Sequence, residues 1–149
     1  MIQIVYESEA SASFRAQDLV DIIEIARSAN PARHITGMLI FHEGRFVQVI
    51  EGPQTNVLEL YQHIQSDPRH ADIWRLARLS IEERVFARWS MGLLTKDNMP
   101  ERLVDSLRDF REVSCRLKQA AAANPDGDSA YTVRLVRGFL SQFKELETA

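Results

Sequence analysis

The sequence predicts an α+β domain built on a ferredoxin-like βαββαββ sheet, and three observations predict it. Short stretches rich in β-branched and aromatic residues recur through the first two thirds of the chain. Two stretches with apolar residues at helical spacing separate them, each bounded by proline. Beyond Asn98 the strand pattern gives way to two more apolar-striped segments. The expected architecture is a sheet with two helices on one face and two C-terminal helices capping the other.

Each element has its own reason. Ile2 to Tyr6 alternates β-prone residues and reads as the first strand. In "SASFRAQDLVDIIEIARSAN", Leu19, Ile22, Ile23 and Ala26 recur at helical spacing, and Asn30-Pro31 ends that helix because a residue before proline is pushed out of the α region. "HITGMLIFHEGRFVQVIEG" reads as two strands joined by a turn at Glu43-Gly44. Pro53 opens a second helix, whose buried face is Val57, Leu60, Tyr61 and Ile64, and Asp67-Pro68 closes it. "DIWRLARLSIEER" and "RVFARWSMGLL" read as two more strands, which puts Trp89 and Met91 on one face of the last. Leu103, Leu107, Phe110 and Leu117 mark one amphipathic helix begun near Pro100; Val133, Val136, Phe139, Leu140 and Phe143 mark another after "NPDGD". Each stripe must pack on the sheet's second face, on a second copy or on a partner.

Composition narrows the function. With 149 residues, 45% hydrophobic and 26% charged, the chain is ordinary for one globular domain with a short appendage. A net charge of −3 gives no electrostatic reason to expect a nucleic-acid partner. One cysteine, Cys115, excludes an internal disulfide and fits a reducing compartment. No apolar run is long enough to span a bilayer and the amino terminus reads as a strand, so no membrane partner and a cytoplasmic location are expected. His34, His42, His63 and His70 are scattered and form no zinc-like spacing, and neither a nucleophile elbow nor a glycine-rich phosphate loop is present.

One residue resists a bland reading. In "RFVQVIEG", alternation puts Phe46, Gln48 and Ile50 on one strand face and Val47, Val49 and Glu51 on the other. A mid-strand amide between apolar neighbours needs hydrogen-bond partners, since burying it bare costs about 1–3 kcal/mol. Tyr6, Asn30, Trp89 and Met91 are the polar, aromatic or soft residues expected near it.

Four segments, "IVYES", "ITGMLIFHEGRFVQVIEGP", "DPRH" and "FARWSM", stand in the order and spacing of the BLUF family, sensors of blue light using flavin, and the resemblance covers residues 1–96. It implies a photosensor domain over 1–96 holding FAD non-covalently between its two helices, with FMN or riboflavin as substitutes, and a helical extension over 97–149. It makes Gln48 the switch glutamine, set between the Tyr6 hydroxyl and the flavin ring. Asn30 matches the asparagine at the ring's polar edge, and Ile22 and Ile64 the pair that sandwiches it. Phe46 joins the flavin-binding set. Asp67, Arg69 and His70 match positions beside the ribityl chain and phosphate. His63 stands where some members carry an arginine, and Ala29 where many carry a polar or aromatic residue. Trp89 and Met91 match the two residues that relay the switch to the outer sheet, and the sequence leaves open which one faces the flavin.

The implied activity is electron and proton transfer from Tyr6 on illumination, followed by rearrangement of the hydrogen bonds of Gln48. Output would pass through the C-terminal helices to a downstream protein partner, with no enzymatic activity in the chain itself, and a homodimer or higher homo-oligomer is expected. Two rivals are an acylphosphatase-like enzyme and a flavin-free interaction module on the same fold. The first wants an arginine after the first strand and an asparagine on a central strand; Arg15 is loosely placed and no strand supplies the asparagine.

Overall fold

The structure is a computed structural model that describes residues 1–142; Phe143 of the last apolar stripe lies outside them. The chain runs β1 (Ile2–Ala10), α1 (Ala16–Ala29), β2 (Thr36–His42), β3 (Arg45–Gly52), α2 (Gln54–Gln65), β4 (His70–Ser80), β5 (Gly92–Thr95), α3 (Phe110–Ala123) and α4 (Asp128–Gln142). The βαββαββ plan is therefore present. The sheet order is β4-β1-β3-β2-β5, antiparallel throughout except for the parallel pair β2–β5. Both central residues of the β2–β3 turn, Glu43 and Gly44, have positive φ, as a tight hairpin turn demands.

Period-two alternation gives the sheet two apolar faces. Ile4, Tyr6, Leu39, Phe46 and Ile50 face α1 and α2, where they meet Leu19, Ile23, Val57 and Tyr61. Val5, Met38, Ile40, Val47 and Val49 face the other way and meet Val113 and Leu117 of α3 and Val133, Val136, Phe139 and Leu140 of α4. The C-terminal helices thus cap the second face, as the stripes required. Removing everything after Lys96 would uncover that face, and such a truncated protein is expected to aggregate in a sedimentation assay; a soluble monomer would contradict the capping role.

Asn30, expected to leave the α region ahead of Pro31, keeps helical angles (φ −62°, ψ −40°) and leads into a 3₁₀ turn at Pro31–Arg33. Two elements also differ from expectation. The last strand is only Gly92–Thr95, and the chain from Val85 to Met91 is a loop. Its amides bond to groups outside any ladder, notably Val85 and Phe86 to the Glu51 carboxylate. Trp89 and Met91 accordingly do not share a strand face: Trp89 packs with the α3/α4 core, stacked on Phe86 at 5.4 Å, while Met91 belongs to the α1/α2 core. The single helix expected from Leu103 to Leu117 is also two pieces. A 3₁₀ turn at Glu101–Ser106 is followed by an extended Leu107, which pairs with Leu93, and α3 starts only at Phe110. Asp109 decides the break: its carboxylate caps Glu112 N–H while the Glu112 side chain accepts from Asp109 N–H, a reciprocal cap that starts a new helix. Leu103 and Leu107 are left on the α1/α2 side.

Glu51 is the least expected core residue. It is fully buried on the α3/α4 side of β3. Its two oxygens accept from Gln3 Nε2 (2.8 Å), Thr36 Oγ1 (3.1 Å) and the backbone N–H groups of Val85 (3.0 Å) and Phe86 (2.6 Å). Four donors on one carboxylate satisfy it without a cation.

Candidate functional site

A cleft of about 250 Å³ opens between α1 and α2 on the sheet. Ile22, Ile25 and Ala26 of α1 form one wall, and Leu60, His63 and Ile64 of α2 form the other. Helical spacing places them there: each trio lies three and four residues apart, hence on one helix face. Tyr6, Leu39, Gln48 and Met91 make the floor, Ala29, Asn30 and Arg33 one end, and Asp67, Arg69 and His70 the other.

Sheet register sets the floor. Tyr6 and Gln48 are direct cross-strand partners of β1 and β3, so their side chains stand together on the same face. The Tyr6 hydroxyl donates to Gln48 Oε1, and both residues are buried. Gln48 Nε2 donates to Met91 Sδ at 3.4 Å. Sulfur is a weak acceptor, so an amide with two N–H bonds retains donor capacity on the cleft floor. At the cleft's end, Asn30 Nδ2 donates to the Ser90 carbonyl at 2.6 Å, fastening α1 to the loop that carries Met91.

The electrostatics keep the floor neutral. Burial first, then the neighbouring Tyr61 and Asp67, push the Tyr6 phenol well above its ordinary range, so it stays protonated. Burial pulls the His70 imidazole below its ordinary 6.5, and its Nδ1 lies 2.8 Å from Ser8 Oγ. Burial alone would raise Asp67, but the hydrogen bonds from Arg69, at 2.7–3.1 Å, outweigh it and hold the carboxyl low. Arg69 is thereby already engaged at the cleft's rim.

These directions predict a pH profile. The unfolded chain takes up a proton at His70 near pH 6.5, before the folded chain does, so the stability held above 6.5 is lost as pH falls through the depressed folded value. Asp67 adds stability above 3.8 that is lost as pH falls through its lower folded value. Urea midpoints should decline in two stages, and His70→Gln should remove the upper one.

Of the residues singled out from sequence, Tyr6, Ile22, Asn30, Gln48, His63, Ile64, Asp67, Arg69, His70 and Met91 all line this cleft. Phe46 and Trp89 do not. Phe46 sits behind the lining, its ring 4.7 Å from those of His70 and Phe41, and Trp89 lies on the far face. Leu39, Ile25 and Arg33 line the cleft without having been foreseen. For Leu39 the signal was available, because it lies opposite Gln48 in the β2–β3 register.

An apolar slot with a two-ended amide on its floor suits a planar heteroaromatic ring that carries both acceptors and donors. Its volume lies just under the roughly 300–1,000 Å³ of whole small-molecule sites, so it takes a ring and leaves the rest of a larger molecule at the mouth. The comparison with known families decides its chemistry: the profile described as BLUF, sensors of blue-light using FAD, matches residues 1–92.

The chain belongs to the BLUF family.

Family members are blue-light sensors that bind flavin, and the cleft's donor set fits that group. Among solved structures, the BLUF protein BlrB in its dark state is 29% identical, over 91% of this chain and 93% of that one, with a TM-score of 0.64. BlsA in its photo-activated state is 35% identical, over 65% and 71% of the two chains, with a TM-score of 0.61. The beta subunit of a photoactivated adenylate cyclase from Euglena gracilis is 35% identical over 95 residues, 63% of this BLUF chain but 11% of the subunit. The chain therefore spans about a tenth of the length of such curated relatives. Among the described residues no helix is long and apolar enough to cross a membrane.

Proposed function

We propose that this BLUF chain is a photoreceptor rather than an enzyme, with residues 1–96 as the flavin-binding sensor and 97–149 as the output extension. One observation carries the reading: Tyr6, Gln48 and Met91 form a continuous polar line on the floor of the cleft. FAD is the flavin proposed, with FMN or riboflavin as substitutes. Ile22 and Ile64 grip the ring from either side, Asn30 bonds its polar edge, and His63, Asp67, Arg69 and His70 surround the chain that leaves the cleft. Phe46 acts from behind, by holding the His70 ring.

A flavin bound there supplies blue-light absorption and, once excited, a strong oxidant. Tyr6 holds a neutral phenol ready to release an electron and a proton and to take both back. Gln48 holds the memory. Turning its amide over presents NH₂ to Tyr6, whose hydroxyl accepts as readily as it donates. The same turn presents a carbonyl to Met91 Sδ, which has no proton to offer, so the Met91 contact is lost. That asymmetry directs the change toward the loop carrying Met91 and Trp89, and from there to the C-terminal helices and a protein partner. Homo-oligomerisation and a cytoplasmic location complete the proposal.

A light-minus-dark difference spectrum of the purified protein tests it. A yellow protein whose flavin band shifts reversibly to the red is expected; a colourless protein, or a yellow one without the shift, overturns the reading. Tyr6→Phe should bind flavin and fail to complete a normal photocycle, and unchanged kinetics would clear the tyrosine of its role. A flavin-free module predicts no spectrum at all, and an acylphosphatase predicts hydrolysis of an acyl phosphate by colourless protein.

A further inference from the structure

On the sheet face opposite the cleft, a second cross-strand pair repeats the arrangement of the first. Gln3 and Glu51 are direct partners in the β1–β3 register, as are Tyr6 and Gln48 three residues further along. Both Gln3 and Glu51 are fully buried. Glu51 Oε2 accepts from Gln3 Nε2 at 2.8 Å and from the Val85 N–H at 3.0 Å, and its Oε1 accepts from the Phe86 N–H at 2.6 Å. Gln3 Oε1 in turn accepts from the hydroxyl of Thr132, a fully buried residue of α4.

We propose that Thr132–Gln3–Glu51 is the coupling line that ties α4 to the loop moved by the light switch, and that Thr132 and Gln3 are positioning residues for output. The inference rests on the photoreceptor reading above. Its direction is forced by chemistry. A carboxylate can only accept, so Gln3 must turn its NH₂ toward Glu51 and its carbonyl toward Thr132. Thr132, on a helix, donates to the sheet. The other end of the line grips the same short loop that the cleft grips. Phe86, bonded to Glu51, stacks on Trp89 at 5.4 Å and accepts the Trp89 N–H at 3.1 Å. Asn30 holds Ser90 at 2.6 Å, and Gln48 holds Met91. A loop anchored at Met91 by the switch and at Val85–Phe86 by Glu51 passes a displacement at one anchor to the other. Through Gln3 it reaches α4, which also meets this face through apolar packing of Val133, Val136, Phe139 and Leu140 and through the Arg45 guanidinium, 5.3 Å from the centroid of the Phe139 ring.

Light-dependent hydrogen exchange of the full chain, read alongside the difference spectrum, tests this. The unsubstituted protein is expected to lose protection in α4 by at least threefold on illumination. Thr132→Val keeps the shape and removes the donor; it should retain the full red shift and lose most of the light effect on α4. Thr132→Ser should restore it, which a purely volumetric role for Thr132 would not predict. A Thr132→Val protein with an undiminished light effect in α4 overturns the coupling line, as does an unsubstituted protein with a normal red shift and no change in α4. Absence of the red shift in the unsubstituted protein overturns instead the photoreceptor reading on which the inference stands.

Discussion

Gln48→Leu is expected to bind flavin with near-normal stoichiometry and to show no light-induced red shift. Leucine fills a similar volume and suits the apolar company of Phe46, Ile50 and Leu39, so the cleft walls persist. Both polar ends of the side chain disappear. The Tyr6 hydroxyl, buried with Gln48 Oε1 as its acceptor, loses that acceptor, at a cost of about 1–3 kcal/mol. Nothing remains that can exchange a donor for an acceptor on the cleft floor. Absorbance of the released flavin gives the stoichiometry, and a difference spectrum gives the shift. A normal shift in this variant would remove Gln48 from the mechanism. Loss of flavin altogether would assign it to binding instead.

The second large effect is on stability. Glu51→Ala should cost roughly 3–5 kcal/mol, because each buried donor left without an acceptor costs about 1–3 kcal/mol and four donors converge there, some of which water entering the vacated space can serve. Val85, Phe86, Gln3 and Thr36 all lose their acceptor at once. The comparison is made by urea denaturation of flavin-loaded protein. A loss under about 1 kcal/mol would show that the carboxylate contributes little net stability, as buried charges sometimes do. Glu51→Gln should fall between, since its amide keeps one acceptor but turns two protons toward the Val85 or Phe86 N–H groups.

Gln48 and Glu51 show how far the sequence could be read. Gln48 was legible because an uncharged amide amid apolar neighbours conflicts with its strand, and the conflict marks a functional residue. Glu51 was placed on the correct face by the same alternation, yet its burial was not evident. A glutamate at a strand's end is ordinarily solvated, and here the loop folding back from Arg84 to Phe86 bonds to it and closes it off together with Gln3 and Thr36. Trp89 and Met91 were misplaced for a related reason. "RVFARWSMGLL" has strand propensity throughout, but its Val85 and Phe86 N–H groups go to the Glu51 carboxylate, and amides already taken cannot join a ladder. Leu103 and Leu107 kept helical spacing with Leu117, and the Asp109–Glu112 cap within the sequence was the overlooked signal.

Local chemistry written along the chain determined the order of elements and the two apolar faces of the sheet, and its short motifs carried the resemblance to the family. Those features depend on periods of 2 and 3.6 and on short fixed spacings, which a linear string records in full. The tertiary structure alone decided that Met91 turns toward the cleft and Trp89 away from it, that Glu51 is buried against the Val85–Phe86 loop, and that Gln3 is bonded to Thr132 of α4. Each of those outcomes depends on which distant group supplies a hydrogen bond, and no periodicity encodes a partner that lies 34 or 129 residues away.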